Sequence, residues 1–186
     1  MRTVSFVLGV LTALTVAIPS ATAADPPGRE FTGTAVVDGP NGTRSMPLTL
    51  VVNRFSPVSE VQELGALLAK GGQGTLVSAL RGRADGELRL GALSIPIALV
   101  SVEKTSGGHR YLFLSPRRIQ VNETQFGEES LDYPFGIAVF TIDDFSGLGD
   151  GGLHVAAALR IDADGHIEVD DYDGRDGFFR DLRQLR

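Results

Sequence analysis

Asp143, Asp144, Asp150 and His154 are the residues of this chain whose types and spacing come nearest to a chemical centre. They surround Gly147-Leu148-Gly149-Asp150-Gly151-Gly152, which satisfies the pattern G-x-G-x-x-G. Carboxylates on a flexible loop supply hard oxygen ligands for Ca²⁺, although this spacing matches no defined calcium loop. An imidazole beside a carboxylate is the start of general-base chemistry, so His154 with Asp143, Asp144 or Asp150 is what an exported hydrolase would use. The glycine pattern also suggests a dinucleotide loop, since it follows the apolar run FGIAVFTI and has Asp170 some 20 residues on. Against that, Asp143-Asp144 separates the run from the glycines and would repel a pyrophosphate. The following LHVAAALR is also short for a crossover helix. The stretch 146–152 therefore reads as a glycine-rich loop. The four named residues remain candidates for ligand or metal contact, with no catalytic residue assigned and no cofactor expected.

A second acidic stretch, RIDADGHIEVDDYDG at 160–174, resembles an EF-hand loop only superficially. With Gly165 at loop position 6, position 1 is Arg160 and position 12 is Asp171, where the ion needs a carboxylate and a bidentate Glu. Asp162-Ala163-Asp164-Gly165 fits instead a type I turn closing a three-residue hairpin loop. That register sets Ile161 opposite Ile167, Leu159 opposite Val169, and Arg160 opposite Glu168, with one face continuously apolar. A slip of one residue would mix the faces.

Other reactive signatures are weak. No G-x-S-x-G occurs; Ser146 lacks the leading glycine. His109, His154 and His166 are at no metal-ligand spacing from one another. His109 reads as a strand start and His166 as a residue beside a turn, which leaves His154 the least explained. Pro116-Arg117-Arg118 reads as solvated surface, and Tyr133 and Phe135 around Pro134 as packing at a strand entry.

The elements that must position these residues are mostly strands. FTGTAVVDGPNGTRSMPLTLVVNRF is two strands about a Gly39-Pro40-Asn41-Gly42 turn, with Met46, Leu48, Leu50 and Val52 on one face. The period then changes. Ser56 can cap and Pro57 can open a helix whose stripe is Val58, Val61, Leu64 and Leu68. Gly71-Gly72 stops it, and 75–81 forms a second short helix. Strands follow at 87–92, 95–104, 110–115, 135–142, 153–161, 167–172 and 178–182. The fold class is mainly β: one antiparallel β-barrel or sandwich domain over 31–186, with a helical insert at 57–81.

The chain begins MRTVSFVLGVLTALTVAIPSATAADPP. It has a basic Arg2, an apolar run from Thr3 to Ile18, and small residues Ala21 and Ala23 at the positions that precede cleavage. That predicts a signal peptide over 1–23, a flexible leader over 24–30, and a secreted or periplasmic product without membrane insertion. With no Cys among 186 residues, a hydrophobic core must supply the stability that disulfides give small secreted domains. The formal net charge of −6 argues against nucleic acid as a partner. Charge is uneven: residues 81–118 carry a net +4 and residues 119–186 a net −10. Few Lys, many Arg and many Gly point to a bacterial source.

In their order FTGTAVV, LTLVVNRFSP, LVSALRG, GELRLG, YPFGIAVF and GLGDGGLHVAAALRIDADGHIEV, these segments are similar to a group of uncharacterised exported bacterial proteins. The resemblance spans most of the chain after the leader. It implies export and a β-rich domain, and supplies no site residues. The functional expectation is a secreted, non-enzymatic binding or interaction module with a protein or small-molecule partner. The alternatives are the exported hydrolase and a lipocalin-like carrier of a small apolar ligand.

Overall fold

The computed structural model describes residues 28–39, 42–119, 132–162, 167–171 and 176–185. Its strands are β1 (Glu30–Gly39), β2 (Gly42–Val52), β3 (Gly86–Leu90), β4 (Leu93–Ile97), β5 (Leu99–Lys104), β6 (Gly108–Ser115), β7 (Phe135–Asp143), β8 (Leu148–Ile161), β9 (Ile167–Asp171) and β10 (Asp176–Gln184). One helical element, α1 (Val58–Leu80), lies between β2 and β3. Every pairing is antiparallel, in the order β4-β3-β2-β1-β10-β8-β7-β6-β5, with β9 also on β8. The two ends of that order are two halves of one extended segment. β4 and β5 are separated only by Ala98, whose N–H donates to Leu114 O of β6 at 2.9 Å. The sheet therefore nearly closes into an up-and-down barrel, which leaves little free edge.

The strand expected at 95–104 thus serves two neighbours, β3 before Ala98 and β6 after it. Alternation along the strands fills the interior with Phe31, Leu48, Leu50, Leu88, Tyr111, Phe113, Phe140 and Phe179. Phe140 is the centre of an aromatic cluster, 5.0 Å from Phe31, 5.2 Å from Tyr111, 5.6 Å from Phe113 and 6.2 Å from Phe179 between ring centroids. Such offset and edge contacts are the arrangements ring quadrupoles favour. Arg29 reaches in at one end to donate to the Tyr111 hydroxyl at 2.5 Å.

The helix is where the period change placed it, and it breaks where the glycines are: Gly72 has φ 68° and ψ −171°, a left-handed φ that costs glycine little. Ser56 is not its cap. The N-cap is Pro57, which has no side chain to accept a bond, and the Ser56 hydroxyl is used elsewhere. Leu64, Leu68, Leu76 and Leu80 bury the helix against the outside of the barrel, on Leu99, Leu114, Phe135, Ile137, Ala157 and Leu159. Because parts of β6, β7 and β8 have core on the inside and the helix outside, Leu112–Leu114, Phe135–Phe140 and Val155–Leu159 read as continuous apolar runs.

The β8–β9 hairpin has the expected register: Ile161↔Ile167, Leu159↔Val169 and Arg160↔Glu168. The ion pair of Arg160 goes diagonally, to Asp170 at 3.0 Å. Residues 163–166, His166 among them, lie outside the described residues, as do residues 1–27.

The glycine-rich stretch departs from expectation. It is not a loop throughout, since β8 starts at Leu148 and carries Gly149, Gly151 and Gly152 as strand residues. They lie between β7 and β10, and a Cβ on Gly151 would run into Val139 O and the Cα and Cβ of Phe140. Gly149 and Gly151 let β7 and β8 approach closely, as strand glycines do, and the stretch does not have the loop-to-helix form of a dinucleotide loop.

Candidate functional site

Asp143 ends β7, and Asp144 opens the connection to β8. Asp143 Oδ1 accepts from Ser146 N at 2.7 Å, Ser146 Oγ at 2.8 Å and Phe145 N at 3.1 Å. These bonds, led by that of the Ser146 N–H, hold its carboxyl below the ordinary carboxylate range. Asp144 pairs with His109 Nδ1 at 2.9 Å on the surface. Asp150 is exposed on β8, opposite Thr141. His154 is 7% exposed and lies four residues further along the strand, about 13 Å from Asp150 at roughly 3.3 Å per residue. Asp143 and Asp144, beyond Leu148, are farther still. The structure therefore brings Asp143 and Ser146 together and His109 and Asp144 together, while His154 stands apart from all three acids. Among the described residues no three His, Asp or Glu side chains converge to hold a metal.

What His154 does reach is a groove. Between α1, the outer faces of β5–β8 and the β8–β9 hairpin lies a cavity of about 110 Å³, almost wholly apolar. Val61, Leu64, Gly65, Leu68 and Leu76 form its helical wall, and Leu159, Ile167 and Val169 its hairpin wall. Its floor follows the ladder in rows: Leu99↔Leu114↔Ile137↔His154, then Ser101↔Leu112↔Val139↔Gly152, then Glu103↔Arg110↔Thr141↔Asp150. The first row is buried and the second, Gly152 included, half-buried; in the third, Glu103 and Asp150 are exposed. The groove thus runs from apolar depth to a polar mouth across four residues, about 13 Å.

A bulge makes this possible. Phe135 pairs with Ala157 but Ile137 with His154, so β8 holds one more residue than β7 between those two points. His154 would otherwise share its face with Ala156 and Ala158. The bulge shifts the alternation, and His154 joins Leu159 on the groove side while Leu153 and Val155 stay inside the barrel. Single-residue bulges leave no pattern in composition or alternation, because Val155 to Leu159 is apolar throughout.

Sequence reading also missed the clamp that holds α1 over the groove. Asp85, following the helix, is 5% exposed. Its carboxylate accepts from Arg54 Nη2 at 2.8 Å, Arg83 Nη2 at 3.0 Å and Ser56 Oγ at 2.9 Å. Glu60 in the first helical turn binds Arg54 at 2.9 Å and Arg83 at 2.7 Å. Ser56 Oγ in turn accepts from Val100 N at 3.2 Å, and Arg83 Nε donates to Ala98 O at 2.9 Å. Both ends of the helix are fastened at the β4–β5 seam. Arg117 and Arg118 are also tied down, donating to Ser94 O at 3.2 Å and Tyr133 O at 2.8 Å.

Comparison with protein-family models, with curated proteins and with solved structures finds no match to this chain. Among the described residues no helix is long and apolar enough to cross a membrane. The site's meaning therefore rests on its geometry.

Proposed function

We propose that this protein is an exported, non-enzymatic binding module whose ligand site is the apolar groove between α1 and the outer wall of β5–β9. The observation that carries the reading is Gly65. It lines the groove from the middle of a helical segment, and a Cβ added there would meet nothing within 4 Å. A glycine inside a helix costs about 1 kcal/mol relative to alanine, and here it leaves open the space beside the apolar residues that line the groove. Space is thus kept where a larger side chain would stabilise the fold. The barrel interior, where a lipocalin-like carrier holds its ligand, is instead occupied by aromatic and aliphatic side chains. Export is supported by the residues 1–23, by the absence of Cys and by the resemblance to exported bacterial proteins.

The test is titration with the neutral apolar dye Nile red, read by fluorescence, on wild type and Gly65→Leu. Wild type binds saturably. Gly65→Leu binds at least about tenfold more weakly, while its melting temperature rises by about 2–4 °C from the gain of roughly 1 kcal/mol in helix propensity and burial. Unchanged dye binding in a stably folded Gly65→Leu would overturn the assignment.

A further inference from the structure

Resting on that groove as the binding site, we infer that its ligand is an amphipathic anion, with an apolar body beneath α1 and a carboxylate head at Arg110. The floor changes character in one direction only. Ile137 and His154 lie in the buried row, Leu112 and Val139 in the half-buried row, and Arg110 in the polar row at the mouth. A wholly apolar ligand that filled this length would press against the last row. A molecule with one polar end satisfies all three.

Arg110 is the half-buried charge and the cation of that row. Among the described residues its guanidinium makes no hydrogen bond or ion pair, although Glu103 stands directly across the ladder from it; the exposed side chains of Glu103 and Asp150 likewise make none. Among the other arginines, Arg29 is engaged by Tyr111, Arg54 and Arg83 by Asp85, and Arg160 by Asp170; the guanidinium groups of Arg81 and Arg183, unengaged among the described residues, do not line the groove. A guanidinium presents a planar fork of donors that matches a carboxylate's two oxygens. The cavity volume, about 110 Å³, is smaller than the roughly 150 Å³ apolar cavity that takes up benzene, so it suits part of a short alkyl chain. The rest of the molecule would extend along the half-buried row to Arg110. Glu103 and Asp150 in the same row oppose an anion, so the preference is moderate and Glu103 sets its size.

The experiment is isothermal titration with decanoate, decanol and decyltrimethylammonium, each below its micelle concentration, at neutral pH. Wild type binds decanoate about fivefold more tightly than decanol, the scale of a partly exposed ion pair, and the ammonium most weakly. Arg110→Gln brings decanoate to the affinity of decanol and leaves decanol unchanged, whereas Glu103→Gln tightens decanoate alone. Equal binding of decanoate and decanol to wild type, or a preference that survives Arg110→Gln, overturns the head-group assignment while the groove stands. Absence of binding by all three probes overturns both.

Discussion

Asp85→Asn tests how the helix is held over the groove. The substitution keeps the shape of a buried side chain but removes the charge that accepts from Arg54, Arg83 and Ser56 at 2.8–3.0 Å. Removing one partner of a fully buried ion pair costs about 3–5 kcal/mol. Here the side chains of Arg54 and Arg83 are 40% and 20% exposed and both keep Glu60, so solvent and the second acid recover part of that. We expect a loss of about 2–3 kcal/mol, or a melting temperature lower by about 5–10 °C for a chain of this size. The assay is thermal and urea unfolding followed by far-ultraviolet circular dichroism, with an unchanged denaturant slope showing that stability alone has moved. A loss under about 1 kcal/mol would refute the clamp, and so would a loss that vanishes in about 1 M salt as an exposed pair's does. The cluster also sets a pH dependence. The hydrogen bond from Arg54, and then the charge of Arg83, hold the Glu60 carboxyl below its ordinary value of 4.5. A depressed carboxylate contributes stability that is present above the unfolded value and lost as pH falls through the folded one. Wild type therefore loses stability as the solution is acidified below about pH 4.5, and Glu60→Gln flattens that part of the profile.

Gly151→Ala is expected to cost about 3 kcal/mol or more, because the new methyl meets the backbone of Val139 and Phe140 in neighbouring β7; Gly74→Ala, with open space around it in the helix, should instead stabilise by about 0.5–1 kcal/mol in the same unfolding assay. Expression of the full chain in a bacterial host, followed by N-terminal sequencing of the exported product, should find it starting at Ala24; recovery of the intact Met1 terminus would remove the export reading.

Local chemistry was legible where one residue type forces one geometry. The hairpin register followed from placing Asp162 and Gly165 in a turn and keeping Leu159, Ile161, Ile167 and Val169 on one face, and the ladder has those pairs. The helix break followed from Gly71-Gly72. What was illegible depended on partners distant in the chain. Ser56 has the type of an N-cap, yet Asp85 and Val100 compete for its hydroxyl and win through a buried network no local pattern announces. Glycines at 149, 151 and 152 have the composition of a loop; the crowding of β7 against β8 explains Gly149 and Gly151 in a strand, and nothing in the structure requires Gly152 to be glycine. The four candidate residues failed to assemble for a related reason: closeness in sequence along an extended strand is distance in space.

The groove is where two rules of stable folding are broken together. Helix α1 carries Gly65 at a position facing apolar side chains, and the strand wall opposite presents Leu112, Val139, Ile167 and Val169 without full cover. Each feature alone has a bland account: a glycine costs a helix little, and single surface hydrophobics are common. Their coincidence on facing walls of one cavity does not, because the same substitution at Gly65 would improve helix propensity, fill the void and cover the wall. Gly74 in the same helix also has open space around it, but it does not line the cavity, whereas the barrel interior around Phe140 and the charges around Asp85 are closely packed. Departures from local rules that gather on facing walls of one concave, apolar place are found most often where something else is to be bound. That is why Gly65→Leu separates the readings so sharply: a purely structural helix gains from it without loss, while a binding wall gains stability and gives up its ligand.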